Sequence, residues 1–370
     1  MLTADYLDVL PGPILELYER YTNSIIRDIA RRLMGLSIQS AAWQMQRLTE
    51  SGAIYENALR EIARLTGYSE DVLRQIFEAA GVTSLRFDTA IYRAYGLDPL
   101  PLNQSPEMVR LLVAGLRRTH GIMMNLTRTT ALSAQMNFIK AADLAWLQVS
   151  TGARDYNSAI REAVKGIGTS GLEVLYPTGH MEKLDVAMRR TVLTGVTQTT
   201  GEMQMALVDE LGVDTIAVSA HIGARDKGEG PMNHESWQGR VYSLRGSEYP
   251  NFYQVTGYGT GEGLGGYNCR HSFYPYFDGV SENFYNEQML KQYADTTVTY
   301  NGKSLSYYEA TQVQRRYERE IRKAKRELTA LEAAGLDAGN ERARVKNIQA
   351  ALRDFLRQTG LNRQNEREQV

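Results

Sequence analysis

The segment "PILELYERYTNSIIRDIARRLMG", which begins at Pro13, carries apolar side chains at Ile14, Leu15, Tyr18, Tyr21, Ile25, Ile26, Ile29 and Leu33. Steps of three and four place them on one face of an α-helix, and such a face has to be covered by another element. Gly35 supplies the stop. The same constraint returns downstream. "GYSEDVLRQIFEAAG" predicts a helix with Ser69 as N-cap, acids in its first turn and Gly81 as C-cap. The three prolines of "LDPLPLNQSPEMV" interrupt the helical pattern. Ser105 then caps a helix with Pro106 at its first position and Met108, Leu111, Leu112 and Leu116 on one face. Residues 1–150 therefore read as a helical domain whose apolar faces bury against each other or against a partner.

The texture changes over residues 151–300. "YNSAIREAVKGIG" predicts a short helix, and "LEVLYPTGHMEKLDV" a hairpin turning at Pro177, Thr178 and Gly179. "AMRRTVLTGVTQTTGEMQMALVDELG" predicts a long helix closed by Gly212. "VDTIAVSAH" alternates and is β-branched, so it predicts a strand that delivers His221 at its end. The remainder reads as loop, turn and short strand. Over residues 301–370 charge and helical period dominate. Tyr317, Ile321, Ala324, Leu328 and Leu331 form a coiled-coil seam that Val345, Ile348, Leu352 and Phe355 continue after the turn "AAGLDAGN". This charged helical hairpin holds 14 Lys or Arg and 9 Asp or Glu from residue 311 on, a surplus of five positive charges (14 − 9). Such a surplus reads first as a solvated face and second as a contact with a nucleic-acid backbone. The expected class is α+β, mostly α: a helical N-terminal domain, a small loop-rich α+β middle domain and a C-terminal helical hairpin.

The chain has five histidines, one cysteine and three tryptophans, and three of the histidines, the cysteine and one tryptophan lie between His221 and His271. Cys269 and His271 are two residues apart, so on extended backbone their side chains share a face. With His221 and His234 they offer a Cys-His₃ ligand set of a kind that zinc accepts, although the spacing is not that of a standard zinc knuckle. Three further readings stay open. The histidines can hydrogen-bond loop backbone around a buried cysteine. Cys269 with His221 or His234 and Asp226 or Glu235 can supply nucleophile, base and orienting acid. His221, with Asn233, His234 and Asn268 around a metal, can serve a nuclease. The G-x-G-x-x-G at Gly261, Gly263 and Gly266 follows no clear strand, opens no helix and has Glu262 inside it, so a dinucleotide site is rejected. The glycines of "GYGTGEGLGG" are expected instead to permit positive φ in a tight loop that brings Asn268–His271 to His221. Seven of the 22 tyrosines fall between Tyr242 and Tyr276, as in a loop-heavy domain that packs with aromatics.

Composition narrows the classes. A net charge of −1 gives no global attraction to nucleic acid or anionic lipid. One cysteine excludes an intrachain disulfide framework and fits a reducing compartment. No secretory signal and no uninterrupted apolar stretch of about eighteen residues is seen, so no membrane partner is expected.

In order along the chain come a long helix ending in "ELG", then "VSAHIGARD", "NHESWQGRVYSL", "GEGLGGYNCRHSFYPYFDG" and "YYEATQVQRRYEREIRKAKRE". This order resembles the minor capsid proteins of tailed phages, relatives of the head-morphogenesis protein F of phage Mu. The resemblance runs over residues 10–368 and is most specific between His221 and Gly279. It implies a low-copy virion component at the portal vertex or capsid interior, made in the host cytoplasm and acting in head assembly, genome packaging or ejection. It implies portal or major capsid proteins as partners, with packaged DNA reached through the basic hairpin. It implies no catalytic cycle. His221, Arg225, His234, Trp237, Gly239, Asn268, Cys269, Arg270 and His271 are then expected to form one structural core. Arg225 and Arg270 are expected to bond carbonyls or carboxylates such as Asp226, Glu235 or Asp278, and zinc is the candidate cofactor at His221, His234, Cys269 and His271. The rival to a structural role is a metal-dependent hydrolase or nuclease using the same four residues.

Overall fold

The computed structural model describes residues 1–40, 42–246, 248–281 and 284–370. With 67% of the chain helical and only small sheets, the fold is α+β and mostly α. After the short α1 (Ala4–Val9), α2 (Gly12–Met34) buries Ile14, Tyr18, Tyr21, Ile25, Ile26, Ile29 and Leu33, the face that its spacing predicts, and ends at Gly35.

The next helix departs from expectation. α3 (Trp43–Ala94) runs unbroken for 52 residues, straight through the cap expected at Ser69 and the stop expected at Gly81. Ser69 is buried inside the helix and its hydroxyl donates to the Thr66 carbonyl at 3.0 Å. A Cβ on Gly81 would lie 3.0 Å from Leu102 and 3.3 Å from Leu112, so this glycine lets other elements approach. The reason is a matter of magnitudes. Ile54, Ala58, Ile62, Leu65, Leu73, Phe77 and Ala80 form one continuous buried stripe through both signals. Each fully buried Leu, Ile or Phe contributes roughly 1.5–3 kcal/mol, whereas a cap or an interior glycine changes the balance by only about 1 kcal/mol.

Ser105 and Pro106 open α4 (Pro106–Ser150) as expected, with the serine hydroxyl accepting from the Met108 amide. α5 (Tyr156–Ser170) follows, then the hairpin β1 (Glu173–Leu175) and β2 (Met181–Lys183), then α6 (Leu184–Glu210). α4 lies against both α3 and α6. The α4–α6 crossing is reciprocal: a Cβ on Gly115 would fall 2.0 Å from the Thr199 hydroxyl, and one on Gly195 would fall 2.2 Å from that of Thr119. Each helix presents a glycine to the other's threonine, which lets the backbones close.

β3 (Thr215–Val218) is the centre of a three-stranded antiparallel sheet, flanked by β4 (Val241–Ser243) and β5 (Phe273–Pro275). Among the described residues the short helices α7 (His234–Trp237) and α8 (Phe252–Thr256) and a 3₁₀ turn at Gly230–Met232 interrupt the loops around it. α9 (Glu287–Asp295) leads to a second hairpin, β6 (Thr297–Tyr300) and β7 (Lys303–Ser306). α10 (Tyr307–Ala333), opened by a capping box at Ser306 and Glu309, and α11 (Gly339–Thr359) form the helical hairpin. Ile321, Leu352 and Phe355 pack with Tyr317 and Ile348 along its seam, and β6 and β7 close one side. α10 also packs on α5 and α2, and one buried apolar cluster extends from Leu2 to Ala338.

Candidate functional site

The sheet register assembles the site. Val218 pairs with Phe273, and Ser219 continues that ladder by donating to the Ser272 carbonyl at 2.8 Å. On the other side Ala217 pairs with Val241, and the Gly239 amide donates to the Ser219 carbonyl at 3.3 Å. His221, Gln238 and His271 therefore leave the same end of the sheet together. The rings of His221 and His271 stack with centroids 4.4 Å apart. α7, capped by the Asn233 side chain, adds His234, whose ring lies 5.4 Å from that of His271 and 4.7 Å from that of Trp237. Cys269 is buried with its sulfur 3.7 Å from His271 Nδ1.

Hydrogen bonds fix the tautomers. Gln238 Oε1 accepts from the His221 amide at 3.0 Å and also lies 3.0 Å from His271 Nε2, so that nitrogen carries a hydrogen. His234 Nε2 donates to the Glu262 carbonyl at 2.9 Å, and His221 Nδ1 to the Ile222 carbonyl at 2.9 Å. Each ring thus keeps one nitrogen with a lone pair. Burial, and after it Arg270, pulls His221 down to about 3. Burial pulls His234 down to about 4, and burial followed by His221 takes His271 well below the usual histidine value. Burial pushes the Cys269 thiol up. A thiol held in its neutral form is a poor nucleophile, so this pairing does not resemble an activated cysteine.

The other expected residues shape the surroundings. Trp237 is 1% exposed, and its indole N–H donates to the Pro231 carbonyl at 3.1 Å. Gly239 has φ +67, and a Cβ there would lie 2.6 Å from Leu290 and 3.1 Å from Ala220. Asn268 has φ 57, a left-handed conformation that asparagine tolerates, just before Cys269. The glycines of the 257–266 stretch divide in two, and the expected positive φ holds for only some of them. Gly261, Gly263 and Gly266 are not in the positive-φ set; a Cβ on Gly263 would lie 2.3 Å from the Gly257 carbonyl, and one on Gly266 would lie 2.4 Å from the Gly261 carbonyl. They are small because the loop packs backbone on backbone. Positive φ falls instead at Gly257, Gly259 and Gly265.

The arginines find their hydrogen-bond partners outside the cluster. Arg225 reaches the Tyr267 carbonyl at 3.4 Å. Arg270 pairs with Asp8 at 2.9 Å, not with Asp226, Glu235 or Asp278; Asp278 instead accepts from the Tyr249 hydroxyl. Asp8 also holds Arg367 at 3.0 Å, so one carboxylate joins α1, the loop before β5 and the C-terminal segment. A cleft of about 850 Å³ opens here, with Arg189 and Arg315 in its wall. Burial, and then neighbouring arginines, pulls both guanidiniums down to about 10. The wall carries as many acids as arginines, so it is an ionic interlock and not an anion trap. Asp8, Arg189, Arg315 and Arg367 lie far apart along the chain, and no local spacing marks them.

The chain matches the phage minor capsid protein 2 family over residues 2–357. It is 24% identical over 367 residues to a structural protein of Lactococcus phage LL-H, with 93% of each chain covered. A structural protein of Lactococcus phage mv4 is 35% identical over 127 residues, which is 33% of this chain and 93% of that relative. No solved structure matches. With nearly the whole chain inside the family match, from α1 through most of α11, the protein belongs to the phage minor capsid protein 2 family.

Proposed function

We propose that the protein is a low-copy component of the phage head, seated at the portal vertex or inner capsid, where it contributes to head assembly, genome packaging or ejection. The observation that carries this reading is an apolar end on the α3–α4 pair. Trp43 at the start of α3 stacks on Trp146 near the end of α4, with centroids 5.4 Å apart. On the same helix ends Met45, Leu48, Leu144 and Leu147 are exposed, Met45 at 70%. Large apolar side chains left exposed at such a helix end are what a protein contact would cover. Portal or major capsid protein is the partner we assign to it.

The basic hairpin gives weaker support to a DNA contact, because much of its charge turns inward. Arg322 pairs with Asp185, Arg326 with Glu19, Arg367 with Asp8, and Arg344 with Glu320 and Glu327. Among the described residues no helix is long and apolar enough to cross a membrane.

The test is quantitative mass spectrometry of gradient-purified, nuclease-treated particles, with copy number set against the major capsid protein. Wild type is expected at a few copies per particle. The double variant Met45→Lys, Leu147→Asp changes exposed positions only, so it should keep the wild-type melting temperature and be depleted from particles. Wild type absent from particles, or the variant incorporated at the wild-type level, overturns the proposal.

A further inference from the structure

We propose that His234, Cys269 and His271, with His221 as fourth ligand, hold a structural zinc ion that staples the loops around the three-stranded sheet. Among the described residues, His234, Cys269 and His271 each offer a ligand atom, and the three atoms lie within 4.8 Å of one another. Bonds of about 2.3 Å to sulfur and about 2.0–2.1 Å to nitrogen, at the tetrahedral angle, separate the two ligand atoms by about 3.6 Å. The Cys269 sulfur and His271 Nδ1 stand 3.7 Å apart. That edge of a zinc tetrahedron is already present.

The hydrogen bonds around the cluster fit the same assignment. Metal-bound histidines usually donate their second N–H to a carbonyl or carboxylate, which sets ring orientation and leaves the other nitrogen free for the ion. His271 donates to Gln238, His234 to the Glu262 carbonyl and His221 to the Ile222 carbonyl. His221 lies against the ring of His271, and its Nε2 is the nitrogen left for the fourth position.

The residue chemistry selects the metal. One sulfur and three imidazoles suit Zn²⁺; magnesium and calcium prefer oxygen ligands. The ligands come from three places: the chain leaving β3, the short α7 and the loop entering β5. One ion there ties together segments that share little regular structure. With His221 taking the fourth position, as proposed, no position is left for substrate, so the zinc is assigned a structural and not a hydrolytic role.

The test uses the full-length chain with any affinity tag removed, equilibrated with Zn²⁺, freed of loose metal by gel filtration in a weak chelator, and assayed by elemental mass spectrometry. The expected result is stoichiometric zinc. Cobalt exchanged into the site should give tetrahedral visible bands and a thiolate charge-transfer band. A strong chelator should lower the melting temperature by several degrees, and added Zn²⁺ should restore it. Cys269→Ser should remove the charge-transfer band. Should that variant fail to fold, His221→Gln at the half-buried fourth position should still fold and lose its zinc to the weak chelator. Substoichiometric zinc in the wild type, a cobalt spectrum without the thiolate band, or stoichiometric zinc in both variants overturns the proposal.

Discussion

Two glycines two residues apart on α5, and so on different faces of the helix, offer a sharp test of how the hairpin is docked. A Cβ on Gly168 would lie 2.5 Å from Glu327 Cα and 2.7 Å from both the Arg326 carbonyl oxygen and the Glu327 nitrogen. All three are backbone atoms of α10, so no side-chain rotation relieves the clash. Reaching ordinary contact requires α5 and α10 to part by about 1 Å, and overpacking of this kind costs about 1–3 kcal/mol. We take the upper end because the obstacle is backbone. Alanine regains about 1 kcal/mol over glycine in a helix interior, so Gly168→Ala should lose about 2 kcal/mol net. An unfolding entropy of roughly 2.1 cal/mol/K per residue, over a chain this long, converts that to a fall of about 2–3 °C in Tm. Gly166 is the control. It is exposed on the same helix with nothing within 4 Å of its added Cβ, so Gly166→Ala should gain up to about 1 kcal/mol and raise Tm by about 1 °C. Differential scanning calorimetry on both variants and wild type reads the two signs. A Gly168→Ala protein that melts at or above Gly166→Ala would refute the close α5–α10 contact.

Two carboxylates give pH tests of opposite sign. Burial pushes the Asp8 carboxyl up, but Arg270 and then Arg367 outweigh it and hold the group below its ordinary 3.8. Its stabilisation is therefore present above that value and is lost as pH falls through the lowered one; Asp8→Asn should cost about 3 kcal/mol in urea melts at pH 7, and progressively less as pH falls below 3.8. Asp88 accepts from the Gln204 side chain at 2.9 Å, and burial pushes its carboxyl up to about 7 against the opposing pulls of Gln204 and the N-terminal ammonium. Its contribution is greatest below its ordinary 3.8 and is lost as pH rises through about 7. Asp88→Asn should gain on wild type by up to about 4 kcal/mol between pH 4 and pH 8, and parallel pH profiles for the two proteins would contradict this.

How much of the fold is legible in the sequence depends on the range of the interaction that decides each element. α2, α4, α5 and α6 and the β1–β2 hairpin follow from spacing, capping serine or proline and turn residues, because those effects act within a few residues. The continuity of α3 does not. Ser69 and Gly81 carry genuine local signals, and they are overruled by a buried stripe whose worth depends on α4 and α6 being there to cover it. The reciprocal glycine–threonine contacts of α4 and α6 are hidden for the same reason: Gly115 and Gly195 look like weak points of a helix until the partner helix is in place. The hairpin β6–β7 is likewise four-residue strands whose pattern is too short to stand out before α10.

The site divides along a different line. The histidines and the cysteine stand out because they are rare, and rarity survives without any knowledge of contacts. Their arrangement is then fixed by register: once β3 pairs with β4 and β5, the residues just past the strand ends have little choice but to meet. Arginine and aspartate are common, so the same physics leaves no trace for the neighbouring interlock. Asp8 pairs with residues 262 and 359 positions further along the chain (270 − 8 and 367 − 8), and no window of sequence contains both ends. Yet Asp8 and the cluster meet through Arg270, which sits between Cys269 and His271 in sequence. Extended backbone at that point sends neighbouring side chains to opposite faces. Cys269 and His271 turn inward to the cluster, and Arg270 turns out to α1 and the C-terminal segment. That single tripeptide couples the loop domain to both ends of the chain, so loosening either side should be felt by the other.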